Sequence, residues 1–141
     1  MAMGSLLKAY GQVRQGNAAR KAAKFEAKQM ERDALAAEAE GQAAASVSRR
    51  EGRLLKSRGI AVAAGSGASV RDPTVINLLA DVEAESEYNA LSALYSGKSE
   101  ATKLRMGARA RRKEGKAAQL AGYINAASTI FDDMKRSGGG G

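Results

Sequence analysis

Small side chains recur at seven-residue intervals in two long stretches of this chain. The members of the two series are Ala27, Ala34 and Gly41 in the first half and Ala101, Ala108, Gly115 and Gly122 in the second. The first series extends to Ser48, and an offset series contains Ala23, Met30, Ala37 and Ala44. Apolar residues at this interval are typical of helices that pack along their length. Because these positions carry mostly alanine or glycine, the pattern predicts close backbone approach and argues against a solvent-filled catalytic pocket.

The composition also favours helices over a thick globular core. The chain has 141 residues, the length of one ordinary domain, yet only 4% of them are aromatic and none is tryptophan. A compact globule of this length relies on large apolar side chains for its core. We therefore predict an elongated all-α fold in which small side chains are buried along a line.

Helix formers and breakers divide the chain into two helices. Alanine, glutamate, lysine, glutamine and arginine dominate residues 5–58, and proline is absent there. Gly59 is the predicted helix stop, since glycine readily adopts the left-handed conformation after a last turn. Residues 59–72 are predicted as a turn and residues 73–135 as the second helix. These elements form one domain over residues 1–137, followed by a flexible glycine tail at 138–141.

The predicted turn contains two signals. Gly65, Ser66 and Gly67 are typical turn residues. Asp72 can cap the amides of the next helix, and Pro73 fits its first position because the missing N–H has no helical partner there. A short connection between long helices predicts an antiparallel hairpin, which we expect to assemble as a ring or bundle.

Charges along the two helices support that hairpin. Folding the chain about Ser66 brings three arginines near three acidic residues. It also brings three other acidic residues near three other basic residues. The first set is Arg49, Arg50 and Arg53 with Asp81, Glu83 and Glu85, and the second is Glu26, Glu31 and Asp33 with Lys98, Lys103 and Arg105. Each exposed pair contributes only about 0.5 kcal/mol, but repeated matching helps to set the register.

A dense basic run is the candidate anion-binding surface. The formal net charge is +8, which favours an anionic partner such as DNA, lipid headgroups or an acidic protein. The run consists of Arg109, Arg111, Arg112, Lys113 and Lys116, and in the predicted register it faces Arg14, Arg20, Lys21 and Lys24. The alternative interpretation is a solvated face or a contact with a neighbouring subunit. No aromatic residue interleaves the run, so base stacking is not indicated.

The residue types argue against catalysis. The chain has no cysteine and no histidine, which excludes disulfides, Cys/His zinc sites and a histidine base. No carboxylate pair and no serine with a base stands out, so we predict no catalytic, cofactor or metal site and no enzymatic activity. No stretch approaches the roughly 18 apolar residues of a membrane-spanning helix, and the first residues lack the apolar core of a secretory signal.

Two segments carry a resemblance to a known family. Residues 58–101 read RGIAVAAGSGASVRDPTVINLLADVEAESEYNALSALYSGKSEA, and residues 117–132 read AAQLAGYINAASTIFD. The most telling pieces are Gly65-Ser66-Gly67, Tyr88-Asn89 and Ala126-Ala127-Ser128. Over residues 55–132 the chain resembles the small internal virion proteins of short-tailed bacteriophages, which are core or ejection proteins carried in the capsid.

The resemblance implies a non-enzymatic virion protein that helps DNA pass the host envelope. It implies a homo-oligomer beside portal, tail or other internal virion proteins, with DNA backbone and envelope lipid as further partners. Its location would be the virion, and the host periplasm or outer membrane after ejection. Relatives often begin with an apolar, glycine-rich segment, whereas this chain begins with Leu6-Leu7-Lys8, which favours a structural role over membrane insertion. Two alternatives stay open: a basic DNA-associated protein, and a membrane-active hairpin inserting residues 60–70.

Overall fold

Two long helices form the fold in this computed structural model, which describes residues 2–138 and the side chains of residues 4–136. Helix α1 spans Ala2–Gly65, and helix α2 spans Pro73–Gly138. The two helices pack against each other as an antiparallel hairpin, and residues 2–138 contain no strand. The predicted all-α hairpin is therefore confirmed. Of the predicted tail, Gly138 is the last residue of α2, and residues 139–141 lie outside the described residues.

The predicted end of the first helix at residue 58 is wrong. Residues 59–65, predicted as turn, continue α1. A Cβ atom added at Gly59 would lie 3.0 Å from Leu79 Cδ2, so this glycine makes room for a side chain of α2. The left-handed residue that terminates the helix is Gly67, two positions after the last helical residue, with a φ of 75°.

The hydrogen bonds at this end form a Schellman motif. The Ala68 N–H donates to the Ala63 carbonyl at 3.0 Å, and the Gly67 N–H donates to the Ala64 carbonyl at 3.3 Å. These bonds satisfy carbonyls that have no partner within the helix. A left-handed residue at this point explains why the turn contains Gly67.

Helix α2 starts where the sequence predicted. The Asp72 carboxylate accepts a hydrogen bond from the Thr74 N–H at 2.8 Å, and the Asp72 carbonyl accepts one from the Ile76 N–H at 3.0 Å. Asp72 is thus the N-cap, and Pro73 occupies the first helical position.

The chain divides into two compact units, each containing a segment of both helices. The closed-end unit, which contains the turn, is Asp33–Lys103, and the open-end unit consists of Met1–Arg32 and Leu104–Gly141. We describe each unit separately.

Small residues form the core of the closed-end unit. Its buried positions are Ala34, Gly41, Ala45, Gly52 and Ala63 in α1 and Leu79, Ala90 and Ala101 in α2. Successive buried positions of α1 are seven, four, seven and eleven residues apart. The change after Gly41 places Ala45 in the interface, whereas Ala44 is exposed and Ser48 only half-buried. A strict heptad drifts about 20° per repeat around a straight helix, and a four- or eleven-residue step corrects the drift.

The open-end unit buries the same residue types. Its buried positions are Ala9, Gly16 and Ala27 in α1 and Ala108, Gly115, Gly122 and Ala126 in α2. Because alanine and glycine cover so little area, burial within the hairpin uses few of the chain's large apolar side chains.

Candidate functional site

The structure places all seven predicted packing residues at the buried interfaces between α1 and α2. Ala27, Ala34, Ala101 and Ala108 are completely buried, and Gly41, Gly115 and Gly122 are also buried. Ala34, Gly41 and Ala101 belong to the closed-end unit, and the other four belong to the open-end unit.

The two helices approach each other closely at Gly41 and Gly97 in the closed-end unit. A Cβ atom added at Gly41 would lie 2.9 Å from the Ala93 carbonyl oxygen and 3.1 Å from Gly97 Cα. A Cβ added at Gly97 would lie 2.6 Å from the Ala37 carbonyl oxygen and 3.0 Å from Gly41 Cα. Each glycine therefore leaves room for the backbone of the opposite helix.

The open-end unit contains two similar contacts. A Cβ added at Gly122 would lie 2.9 Å from the Gln12 carbonyl oxygen and 3.2 Å from Gly16 Cα. A Cβ added at Gly115 would lie 2.6 Å from the Ala23 Cβ. These glycines hold α1 and α2 at a separation that alanine would not permit without movement.

Three further glycines lie at close contacts between α1 and α2: Gly16, Gly52 and Gly97. Gly52 packs on the side chain of Ser86, with no space for a Cβ atom. A sequence signal existed, because a glycine inside a helix costs about 0.8–1 kcal/mol relative to alanine, and close packing against another helix can offset that cost. The strict seven-residue series did not include them.

The contacts fix a register different from the predicted one. Gly41 with Gly97, and Gly52 with Ser86, are pairs centred on residue 69. Residue 69 is the midpoint between Gly65 and Pro73, where the helices end and begin. The predicted fold about Ser66 is therefore wrong by three residues, because it assumed that α1 stops at residue 58.

Ion pairs in the closed-end unit follow the new register. Arg49 binds Glu87 through two hydrogen bonds, 2.8 Å from Nε to Oε2 and 2.6 Å from Nη2 to Oε1. Lys56 Nζ lies 2.5 Å from Glu83 Oε2. The predicted match of Arg49 with the acidic residues 81–85 is thus replaced by a pair with Glu87.

Pairing changes the pKa of both Arg49 and Glu87. The hydrogen bond from Arg49 is the main cause that lowers the pKa of Glu87, and the positive charge of Arg49 lowers it further. Desolvation of the carboxylate acts in the opposite direction but is weaker than the hydrogen bond. The same hydrogen bond, together with the charge of Glu87, raises the pKa of Arg49. The two side chains remain 40% and 46% exposed, so the pair helps to specify register more than it stabilises the fold.

The basic run is divided by the fold of the open-end unit. Arg111 pairs with Glu26 at 3.2 Å, and Arg112 pairs with Glu31 at 2.8 Å. These glutamates were predicted to face Lys98, Lys103 and Arg105. Moving the hairpin centre by three residues moves the partner of each residue by six, which explains the difference. Two of the five predicted anion-binding residues therefore already hold carboxylates.

A basic cleft in the open-end unit brings together cations from both helices. It is lined by Arg20, Lys24, Lys28, Arg112 and Lys116 and has a volume of about 360 Å³. Arg109, Arg111 and Lys113 of the predicted run do not line it. Lys28 was not among the residues expected to face the run, because the predicted register paired it with a different part of α2.

Large apolar side chains lie mostly on the outside of both helices. Leu7 and Tyr95 are 77% exposed, Tyr88 is 73% exposed and Val62 is 71% exposed. Other large apolar residues in the same situation are Leu6, Tyr10, Phe25, Leu35, Val47, Leu54, Leu55, Ile76, Leu78, Leu91, Met106, Leu120, Tyr123, Ile124, Phe131 and Met134. Leu79 is the one large apolar side chain buried among residues 4–136.

Residues 2–138 contain neither a candidate membrane span nor a candidate metal site. Neither helix contains a segment long and apolar enough to cross a bilayer. In this range no three or more acidic side chains lie together as a metal site would require. No protein-family model, curated protein or solved structure matches this chain.

Proposed function

We propose that this chain is a non-enzymatic structural protein of a short-tailed phage particle, where it works as a homo-oligomer of helical hairpins. The resemblance over residues 55–132 supports the class. The distribution of apolar side chains supports the mode of action, and it is the observation on which the oligomer rests.

Small residues are buried between the two helices of the hairpin, whereas most of its large apolar side chains are exposed. Complete burial of a leucine or phenylalanine side chain stabilises a protein by about 1.5–3 kcal/mol relative to exposure. A hairpin of alanines and glycines gains little of this, while Leu35, Leu91 and Tyr95 remain 55–77% exposed. Leu91 and Tyr95 are four residues apart in α2, so they lie on the same face of that helix, and exposed apolar clusters mark interaction sites. The helices of other copies of the chain are the partners that we propose for these exposed side chains.

In this role the hairpins form a ring or bundle in the internal core or beside the tail. Portal, tail or other internal virion proteins are the neighbours, and DNA and envelope lipid are contacted during ejection. The protein is then located in the virion and afterwards in the host periplasm or outer membrane.

Oligomerisation is tested by light scattering coupled to size-exclusion chromatography. We expect a mass that is a multiple of the 14.7 kDa of one chain. The double variant Leu91→Gln/Tyr95→Gln should lower that mass, since it removes two exposed apolar side chains one turn apart on α2. The control Ser92→Gln/Ser96→Gln introduces the same residue type at exposed positions of the same helix and should leave the mass unchanged. A wild-type mass of one chain at micromolar concentration contradicts the oligomer.

Assignment to the virion has its own test. Mass spectrometry of purified particles should detect the chain in stoichiometric amount, and electron microscopy should show a helical ring or bundle at the core or tail. Particles that lack the chain contradict the virion role, even if the purified protein is an oligomer.

A further inference from the structure

The cations of the basic cleft form two rows. Arg20, Lys24 and Lys28 are four residues apart along α1, which corresponds to about 6 Å per step along a helix. Arg112 and Lys116 are also four residues apart, on α2. The cleft therefore presents positive charge along a line on both of its walls, an arrangement suited to an extended anion.

Carboxylates neutralise little of this charge. Glu31 binds Arg112 at 2.8 Å. Among residues 4–136, Lys24, Lys28 and Lys116 form no ion pair or hydrogen bond, and all three are exposed. Like charges that converge without counter-charges raise the local potential and favour an anionic ligand.

Neutral groups orient the fifth cation, Arg20. Arg20 Nη1 donates to Gln119 Oε1 at 2.5 Å, and Gln119 Nε2 donates to Asn17 Oδ1 at 2.6 Å. Arg20 Nε is buried and has no hydrogen-bond partner. The side chain is thus held in place by an amide, and its charge is left for an external partner.

We propose that the basic cleft binds the phosphate backbone of duplex DNA without reading its sequence. A duplex carries one negative charge per about 1.7 Å of its axis, so it can contact several cations of a row at once. No aromatic side chain lines the cleft, which disfavours base stacking with single strands. A membrane-surface site combines basic with large apolar side chains, and the cleft is lined by cations alone.

This site coincides only in part with the basic surface that the sequence suggests, to which Lys28 is the addition. Lys24 and Lys28 belong to the cleft although they lie far from the run in sequence, and Lys113 belongs to the run but not to the cleft. The proposal does not depend on the virion role or on oligomerisation, because all five lining residues lie in the open-end unit of one chain.

The test compares two triple variants with the same change in charge. The cleft variant is Lys24→Gln/Lys28→Gln/Lys116→Gln, and the control variant is Lys21→Gln/Lys98→Gln/Lys113→Gln. Affinity for a fluorescent 25-base-pair duplex is measured by anisotropy at 50 to 200 mM salt, and circular dichroism checks that each variant is helical. A third variant, with arginine at positions 24, 28 and 116, keeps the charge.

We expect the cleft variant to lose affinity on the order of a hundredfold at about 0.1 M salt, and its salt slope to fall by about 1 per lysine removed. The control and arginine variants should stay close to wild type. Equal losses in the cleft and control variants overturn the proposal, as does absence of wild-type binding at 50 mM salt. Phosphatidylglycerol vesicles that bind the wild type and are not displaced by duplex DNA also overturn it, since the site would then belong to lipid.

Discussion

Replacement of Gly97 by alanine tests the backbone contact of the closed-end unit. The new Cβ atom would lie 2.6 Å from the Ala37 carbonyl oxygen, whereas an ordinary contact needs about 3.4 Å. The obstacle is backbone, so a change of rotamer cannot relieve it, and the two helices must separate locally by about 0.8 Å. A gap of 0.5–1 Å forfeits roughly a quarter to a half of the dispersion energy of each contact that it opens.

Two opposing effects determine the stability of this variant. Alanine gains about 0.8–1 kcal/mol in helix propensity, and overpacking typically destabilises by about 1–3 kcal/mol. Gly107→Ala is the matched control, because its Cβ meets only the flexible Met30 side chain, 3.4 Å from the sulfur. Gly11→Ala, with no atom within 4 Å, is a second control.

We expect both control variants to be more stable than wild type by about 1 kcal/mol. Gly97→Ala should be less stable than Gly107→Ala by about 1–3 kcal/mol, since the propensity gain is common to both. The assay is urea denaturation at one protein concentration, followed by circular dichroism. If Gly97→Ala gains as much stability as Gly11→Ala, the reasoning about close backbone approach is refuted.

Two further predictions concern the cap and the ion pair. Asp72→Ala removes the acceptor of the Thr74 N–H and should lower the free energy of unfolding by about 1 kcal/mol, measured by urea denaturation; an unchanged value would contradict the capping role. Because Arg49 lowers the folded-state pKa of Glu87, the pair stabilises the fold above the ordinary glutamate pKa of roughly 4.3, and this stabilisation is lost as pH falls through the lower folded value. The stability difference between wild type and Glu87→Gln should therefore shrink between pH 7 and pH 3 in thermal denaturation curves, and a pH-independent difference would argue against the pair.

The sequence predicted helix existence and the turn chemistry well, because both depend on local preferences. Asp72 and Pro73 are signals of a helix start wherever they occur together. Gly59 shows the limit of such signals. A glycine fits both a left-handed helix end and a close contact inside a helix, and only the position of Leu79 in space distinguishes the two.

The register and the basic cleft could be predicted only in outline. The error at Gly59 moved the centre of the hairpin by three residues, and Arg49, Glu26 and Glu31 consequently have partners other than the predicted ones. Lys28 lines the cleft because the shift in register also changed the part of α2 that it faces. The burial of Ala45 instead of Ala44 has a different cause, since a helix with 3.6 residues per turn does not follow a strict heptad over many turns.

Engineered disulfides test the central claim, that small residues bring the helices together in a register centred on residue 69. The natural chain has no cysteine, so a cysteine pair introduced at Ser5 and Asp133 has no competing thiol. The side chains of these two residues are joined by a hydrogen bond of 2.6 Å, and the pair is centred on residue 69. Mild oxidation at low protein concentration should give a rapid intramolecular disulfide in this pair, seen as a mobility shift on a non-reducing gel. A pair at Ser5 and Ala127, the register centred on Ser66, should remain largely reduced. Preferential cross-linking of the second pair would contradict the account.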